Sequence, residues 1–399
     1  MLSPENIAED IPFLKKVAYL DSAAVCPPPK RTIEAMSKFY LEYPYNYGVG
    51  VFQDSVEVKV MVDKVRERIA QFINASSPEE IIFTKNTTEA INIVAYGLKF
   101  EPGDEVIITN IEHQSNIIPW LRLEKLGRIK VKIVNADPEG IVQPEEIERQ
   151  LTPKTKLVAI THVSNIFGTI QMVEEIGKLV KSHGAIYLVD AAQSAGRMPI
   201  DVKKIQCDFM AFCGRKALMG PQGTGFLYGC KDALEKLEPL MVGSRAAYVT
   251  SSKQFEYKPL PHRFEAGILN TSGIIGLGTS IEYLQEFGLE RIRDRIRLLL
   301  SELLETLRSI DGIKIYGSED LKCNAGIIPW VMEGYNCDDI ARKVFDTHRV
   351  VVASGDLGAL LALQPYGLKG VVRTSVHFFN RSEDITRLKE ALEALKKGR

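Results

Sequence analysis

A lysine in a glycine-rich segment is the clearest candidate for chemistry in this sequence. Lys216 follows the β-rich run 208–213 and precedes Gly220 and Gly223, so the backbone beside it can pass close to a ligand. Burial and the neighbouring Arg215 would disfavour the ammonium form, and a neutral amine can form an imine with a carbonyl compound. The planar guanidinium of Arg215 also suits a phosphate. The alternative is a solvated surface lysine.

Acidic, amide and imidazole side chains follow other β-rich runs. Asp190 ends the run 185–190. Its carboxylate can pair with a protonated pyridine nitrogen, while Gln193 can hydrogen-bond a ring hydroxyl. His113 follows the run 105–109 and can stack on such a ring and move protons. The structural alternatives are that Asp190 caps a helix and that His113 is a structural histidine.

A candidate anion site begins where the run 80–84 ends. Asn86 or Thr87 can cap the helix that follows, and its free N–H groups with the hydroxyls of Thr87 and Thr88 would form a phosphate cup. The alternative is an ordinary helix cap. Asn165, in THVSNIFG, can bind a cofactor or substrate, or it can form a turn.

The elements that must position these residues alternate between two patterns. Between about residues 80 and 230, short β-rich runs alternate with helix-like stretches, which predicts a mainly parallel, seven-stranded α/β sheet covered on both faces. Ligands bind beyond the carboxyl ends of strands in such sheets, so the polar residues at those ends should converge on one site. The runs are 80–84, 105–109, 130–134, 156–161, 185–190, 208–213 and 225–229.

The pattern changes after about residue 265. A long amphipathic helix follows Gly288, the shorter strand-like runs GIKIY, AGIIPW, RVVVAS and GVVRTSV come next, and a helix begins at Ser382. This order predicts a smaller α+β domain. The predicted divisions are an N-terminal segment, 1–16, that packs with the small domain, a large cofactor-binding domain, 17–265, and a small C-terminal domain, 266–399.

Composition argues against several classes of function. The 50 basic and 51 acidic residues nearly cancel, so nothing indicates a nucleic-acid or membrane-surface partner. The six cysteines form no CxxC pair and are too sparse for a disulfide framework, so we expect no metal site. The N-terminus does not resemble a signal peptide, and no apolar stretch is long enough to span a bilayer. We therefore expect a cytoplasmic location.

These motifs together resemble the class V aminotransferase family of fold-type I pyridoxal-phosphate (PLP) enzymes. The resemblance is strongest to the cysteine desulfurase and selenocysteine lyase branch. It extends from YLDSAA (19–24) to the C-terminal helix. It rests on the motifs TKNTTEAIN, EHQSNIIPW, THVSNIFGT, VDAAQSAG, CGRKALMGPQGTGFLYG, RFEAG and VVRTSV.

The resemblance implies a role for each candidate residue. Lys216 would carry PLP as a Schiff base and move protons at the α-carbon, with Asp190 on the pyridine nitrogen and His113 stacked on the ring. Arg373 would bind the substrate carboxylate, and Asn165 would lie beside the substrate. The remaining implied cofactor contacts come from Thr87, Thr88, Gln193, Cys213 and Arg215. The resemblance also implies an α-amino acid substrate and a homodimer with the active site at the subunit interface.

The chain departs from the family pattern at several positions. Gly358 stands where desulfurases carry a nucleophilic cysteine, and Cys26 does not match that position. Phe52 replaces a histidine near the substrate, and Ile268 replaces a phosphate-binding threonine donated by the partner subunit. The spacing after Lys216 is one residue longer than in typical desulfurases and is similar to that of isopenicillin N epimerase-like members and C–S lyases.

These departures leave the amino-acid chemistry in place but remove the usual sulfur acceptor. Persulfide transfer needs a thiolate that attacks the substrate sulfur. We therefore expect C–S or C–Se lyase chemistry on a cysteine-type substrate. The alternatives are an epimerase or aminotransferase, and a non-catalytic PLP-binding scaffold.

Overall fold

The computed structural model describes residues 4–47 and 52–397, which form fifteen strands and fourteen α-helices. The strands are β1 (Ala18–Tyr19), β2 (Ile81–Thr84), β3 (Glu105–Thr109), β4 (Lys130–Val134), β5 (Thr155–Thr161), β6 (Ile186–Asp190), β7 (Phe209–Cys213), β8 (Gly225–Gly229), β9 (Ala247–Ser251), β10 (Gln254–Tyr257), β11 (Ile313–Ile315), β12 (Ile327–Met332), β13 (Val350–Val351), β14 (Ala353–Gly355) and β15 (Val371–Ser375). The helices are α1 (Pro4–Asp10), α2 (Lys30–Glu42), α3 (Gln53–Phe72), α4 (Thr87–Gly97), α5 (Ile118–Lys125), α6 (Pro144–Gln150), α7 (Val173–His183), α8 (Val202–Ile205), α9 (Lys231–Glu235), α10 (Thr271–Phe287), α11 (Leu289–Ser309), α12 (Cys337–His348), α13 (Leu360–Leu363) and α14 (Ser382–Lys397).

A seven-stranded sheet carries most of the strands that sequence patterns predict. Its order is β2-β8-β7-β6-β5-β3-β4. Strand β8 is antiparallel to β2 and β7, and the other pairs are parallel. Helices cover both faces, so β5, β7 and β8 are almost entirely buried. The mainly parallel seven-stranded α/β sheet is thus confirmed, and each of the seven predicted runs supplies one of its strands.

A second, four-stranded sheet lies in the C-terminal part, with the antiparallel order β11-β12-β15-β14. The run RVVVAS, predicted as one strand, is divided between two sheets. Its first part, β13, pairs in parallel with β1, while β14 pairs with β15. The division has a topological reason: β13 receives the N-terminal strand, whereas β14 must reach the edge of the second sheet.

The N-terminal segment packs into the same hydrophobic core as the C-terminal helices. Ile7, Ile11 and Leu14 are buried in the cluster that also contains Leu299 and Leu388. Residues 1–3 of the predicted segment 1–16 lie outside the described residues. The boundaries at residues 16 and 265 remain predictions. Within the described ranges, no helix is both long and apolar enough to cross a bilayer.

A buried ion pair fixes the RFEAG motif against α3 and β2. Arg66 donates to both carboxylate oxygens of Glu265, at 2.8 and 3.0 Å, and Glu265 also accepts the N–H of Phe83 at 2.8 Å. Both side chains are almost fully buried. Burial opposes ionisation of Glu265, but Arg66 and the hydrogen bonds from His262 and Phe83 outweigh it and lower the pKa of this carboxyl. The loop after Glu265 is therefore held by a bidentate charged contact.

Glu265→Gln should destabilise the protein strongly, because it leaves the Arg66 guanidinium buried without a counter-ion. We expect the free energy of unfolding to fall by about 3–5 kcal/mol in urea denaturation followed by circular dichroism. The control is Glu282→Gln, which removes the exposed partner of Arg68 and should cost less than about 1 kcal/mol. Equal losses for the two variants would contradict this account of the RFEAG motif.

Candidate active site

One cavity of about 310 Å³ lies at the carboxyl ends of the parallel strands. Asp190 ends β6, Cys213 ends β7, and the segments that follow β2, β3 and β5 complete the wall. All ten predicted site residues line it. The lining consists of Ala23, Ala24, Asn86, Thr87, Thr88, His113, Ser115, Asn165, Asp190, Ala192, Gln193, Cys213, Arg215, Lys216, Leu357 and Arg373.

Asp190 is buried in the wall of this cavity, and Lys216, which also lines it, is half-buried. Burial lowers the pKa of Lys216, although Cys213 and Asp190 act in the opposite direction. Burial raises the pKa of Asp190, while Lys216 opposes the rise. Asp190 accepts the N–H of Ala192 at 2.8 Å, but no helix begins there, so the alternative reading of Asp190 as a helix cap does not apply. A cationic partner would stabilise the ionised form of this buried carboxyl.

His113 is held in one orientation by its neighbours. Its Nδ1 accepts the backbone N–H of Ser115 at 3.1 Å, and the Ser115 hydroxyl lies 2.8 Å from that of Thr88. Burial, followed by the charges of Lys216 and Arg373, lowers the pKa of His113 to about 4. The ring is therefore neutral at pH 7, and because Nδ1 is an acceptor, the proton is on Nε2.

The first turn of α4 forms one end of the cavity. Asn86, one of two caps that the sequence allows, accepts the N–H of Glu89 at 2.9 Å, and Thr87 is the first helical residue. Arg215 donates to the carbonyl of Ala24 at 2.7 Å, which holds its guanidinium at the cavity wall. A helix N-terminus with hydroxyls and a guanidinium is suited to bind a phosphate.

Four buried polar atoms of lining residues have no hydrogen-bond partner among the described residues: Thr87 Oγ1, Asn165 Oδ1, Gln193 Oε1 and Arg373 Nε. An unsatisfied buried polar atom costs about 1–3 kcal/mol, so such atoms suggest a ligand that satisfies them. PLP provides matching groups, since its phosphate accepts hydrogen bonds from hydroxyls and its ring hydroxyl donates to amide oxygens. The lining residues therefore fit this cofactor.

Arg373 is buried and bonded to residues distant in sequence. Its Nη2 donates to Asp21 Oδ1 at 2.9 Å and its Nη1 donates to the carbonyl of Asn165 at 3.0 Å. The sequence did not identify Asp21 as a site residue, although it lies within the motif YLDSAA, where the family resemblance begins. Ser115 was missed as well, and its place two residues after His113 was the available signal.

The loop after β14 closes over His113. The carbonyl of Leu357 accepts from Asn165 Nδ2 at 3.0 Å, and that of Gly358 accepts from the N–H of Gln114 at 2.7 Å. Gly358 has a φ of 70°, and a β-carbon there would lie 2.7 Å from His113 Nε2. A side chain at position 358 would thus collide with the ring unless the loop moved away. The cavity wall at this point is Leu357.

Cys26, Phe52 and Ile268 do not line the cavity. Cys26 is fully buried, and burial raises the pKa of its thiol to about 12, so it is protonated at neutral pH. Phe52 and Ile268 are largely exposed and do not line the cavity. Cys213 lines the cavity beside Lys216. None of the three positions outside the cavity supplies a thiolate to it.

Comparison with known proteins places this arrangement in a family. The family model described as "Aminotransferase class-V" matches residues 18–388. A probable cysteine desulfurase of Methanothermobacter thermautotrophicus is 44% identical over 394 residues, 98% of each chain. One of Pyrococcus abyssi is 39% identical over 400 residues, 100% of this chain and 99% of that one.

A solved structure shows the same fold. The apo cysteine desulfurase of Thermococcus onnurineus NA1 superposes with a TM-score of 0.96 at 38% identity, covering 100% of this chain and 99% of that chain. This agreement confirms the fold-type I architecture, and the family is PLP-dependent. The chain belongs to the aminotransferase class-V family and is a cysteine desulfurase-like, PLP-dependent enzyme.

Proposed function

We propose that this enzyme is a C–S or C–Se lyase that acts on a cysteine-type amino acid. The observation that carries the proposal is the cavity itself, in which Lys216, Asp190 and Arg373 face a loop that presents Leu357 and Gly358 instead of a thiol. The first three residues suit activation of an amino acid at its α-carbon. The loop offers no group that could take up the substrate sulfur.

The cofactor would be held by the residues that the sequence predicts. Lys216 would bind it covalently, Asp190 would pair with the pyridine nitrogen, and Gln193 would hydrogen-bond the ring oxygen. Thr87, Thr88, Cys213 and Arg215 would hold the phosphate, and His113 would stack on the ring. When bound, PLP supplies an electron sink for negative charge at the α-carbon.

The chain's own residues would then orient the substrate and move its protons. Arg373 would bind the α-carboxylate, because a guanidinium and a carboxylate pair through two parallel hydrogen bonds. Asp21 and Asn165 already fix the Arg373 side chain, so little rotational entropy remains to be lost. The neutral amine that burial favours at Lys216 would take the α-proton.

The fate of the sulfur follows from what the loop lacks. A thiolate acceptor would form a new S–S bond and leave alanine. Without that acceptor, the C–S bond breaks by elimination after the α-proton is removed. Sulfur then leaves as hydrosulfide, and the three-carbon fragment takes up water to give pyruvate and ammonia. Cysteine and one water thus balance hydrosulfide, pyruvate and ammonia, and no oxidant is needed.

Lys216→Ala should abolish covalent attachment of the cofactor. We expect the variant to lose the visible absorbance of lysine-bound PLP, and borohydride followed by peptide mass spectrometry to label Lys216 in the wild type only. Lys203→Ala, which changes an exposed lysine, is the control and should behave as wild type. Borohydride labelling of another lysine would overturn the assignment.

L-cysteine should be converted to sulfide and pyruvate in equal amounts, as measured by colorimetric sulfide detection and coupled lactate dehydrogenase. L-selenocysteine should give selenide in the same assay. Alanine in place of pyruvate would instead show desulfuration, and α-deuterium exchange without breakdown would show racemisation. Either result would contradict the lyase proposal.

We also propose a homodimer, supported by an exposed apolar surface that the sequence analysis did not anticipate. It comprises residues 240–242, the hairpin of β9 and β10, and Ile268. Val249 is 83% exposed and Ile268 is 75% exposed. A hydrogen bond from Gly267 N to the Ser244 carbonyl, 2.8 Å, joins the two ends of this surface. Several large exposed apolar side chains on neighbouring segments are typical of a protein interface.

We also propose a cytoplasmic location. The six free cysteines agree with it.

Val249→Asp should convert the dimer to a monomer, because a carboxylate would be buried without a partner at the subunit contact. Light scattering coupled to gel filtration measures the mass. Leu298→Asp adds the same charge at an exposed position on α11 and should leave the dimer intact. A monomeric wild type, or a dimeric Val249→Asp variant at micromolar concentration, would refute the proposed interface.

A further inference from the structure

The C-terminal part of the chain contributes two side chains to the wall of the cavity. Of the sixteen lining residues, only Leu357 and Arg373 come from beyond residue 266. Arg373 provides a cation, and Leu357 is the one large aliphatic side chain among the described lining residues, where the other alkyl groups are alanines. The C-terminal part therefore offers a bound amino acid one charged contact and one apolar contact.

These two contacts are held close together by Asn165. Arg373 Nη1 donates to the Asn165 carbonyl at 3.0 Å, and Asn165 Nδ2 donates to the Leu357 carbonyl at 3.0 Å. A single residue thus separates the carboxylate-binding group from the aliphatic wall. An amino acid whose carboxylate lies on Arg373 has its side chain within reach of Leu357.

Leu357 also adopts a backbone conformation that a leucine seldom takes. Its φ is 52°, in the left-handed region, and such a conformation costs about 1–2 kcal/mol for a residue with a β-carbon. The hydrogen bonds of the Leu357 and Gly358 carbonyls to Asn165 and Gln114 hold the loop in place. A strained residue held against a cavity by its surroundings is characteristic of a ligand contact.

We propose that Leu357 is the specificity-determining residue of this site, and that it selects α-amino acids with a compact, neutral side chain and rejects acidic ones. The inference rests on the proposed function for the amino-acid substrate. A thiol, selenol or methyl group can lie against the leucine side chain without losing strong hydration. A carboxylate there would be desolvated without a partner, which is far more costly.

The test measures the binding of two amino acids to the PLP-loaded enzyme by titration calorimetry. The probes are L-2-aminobutyrate, which has the size of cysteine but no sulfur, and L-aspartate. We expect the wild type to bind L-2-aminobutyrate at least tenfold more tightly than L-aspartate. Leu357→Asn should weaken L-2-aminobutyrate binding about tenfold, the usual effect of losing an apolar contact in a pocket. Asparagine tolerates a positive φ, so the loop should keep its conformation.

Two further variants separate a contact role from a structural one. Leu357→Met keeps an apolar wall of similar volume and should restore most of the affinity. Leu360→Asn changes an exposed leucine on the same segment and should have no effect. With L-cysteine, Leu357→Asn should raise KM about tenfold and leave kcat within about twofold.

The outcomes distinguish this inference from the proposed function. If the wild type releases no sulfide from L-cysteine, the proposed reaction fails, but the preference for L-2-aminobutyrate still tests Leu357. If Leu357→Asn keeps the wild-type ratio of affinities, Leu357 does not determine specificity, whatever reaction the enzyme catalyses.

Discussion

The buried guanidinium of Arg373 is the contact on which the arrangement of the site depends. It joins strand β15 to Asp21 in the N-terminal part and to Asn165 in the loop after β5. A buried cation needs partners with good geometry, because an unpaired one would cost several kcal/mol. Arg197 provides a second link of the same kind, since it donates to the carbonyls of Ala325 and Val376 and to the Ser22 hydroxyl. The two arginines hold the strand ends and the C-terminal sheet in register around one cavity.

The same packing leaves polar groups unsatisfied where a ligand can use them. Among the residues that the structure describes, Thr87 Oγ1 and Gln193 Oε1 are buried and have no hydrogen-bond partner, while Ser115, Asn86 and Ala23 beside them make hydrogen bonds. The supporting groups are thus fixed by the protein, and the groups that face the cavity retain bonding capacity. Lys216 is prepared in a similar way, because burial lowers the pKa of its amine before any ligand binds. Such preorganisation decreases protein stability and increases affinity for a ligand that completes the bonds.

The strands of the large sheet and most of the cavity residues could be predicted from the sequence, because both depend on local patterns. Asp190 and Lys216 stand at or just after strand ends, and parallel strands bring their carboxyl ends to one edge. Contacts between distant segments gave no such signal. Asp21 and Arg373 are 352 positions apart, and neither residue type nor spacing predicts that they pair. The division of RVVVAS between two sheets was missed for a related reason, since β13 finds its partner in a strand more than 300 residues earlier. The hairpin of β9 and β10 lacks a buried face, so it shows no core pattern.

The loop at residues 356–359 connects the fold to the choice of reaction. Leu357 and Gly358 take consecutive left-handed conformations, which turns both carbonyls toward donors on Asn165 and Gln114. That turn brings Gly358 against the His113 ring so closely that the position has no room for a β-carbon. A nucleophile presented from this position would require a different loop path, and with it the loss of the hydrogen bond to Asn165 beside Arg373. The geometry that closes the cavity over the ring therefore leaves no room for a side chain at position 358 while the loop keeps this path.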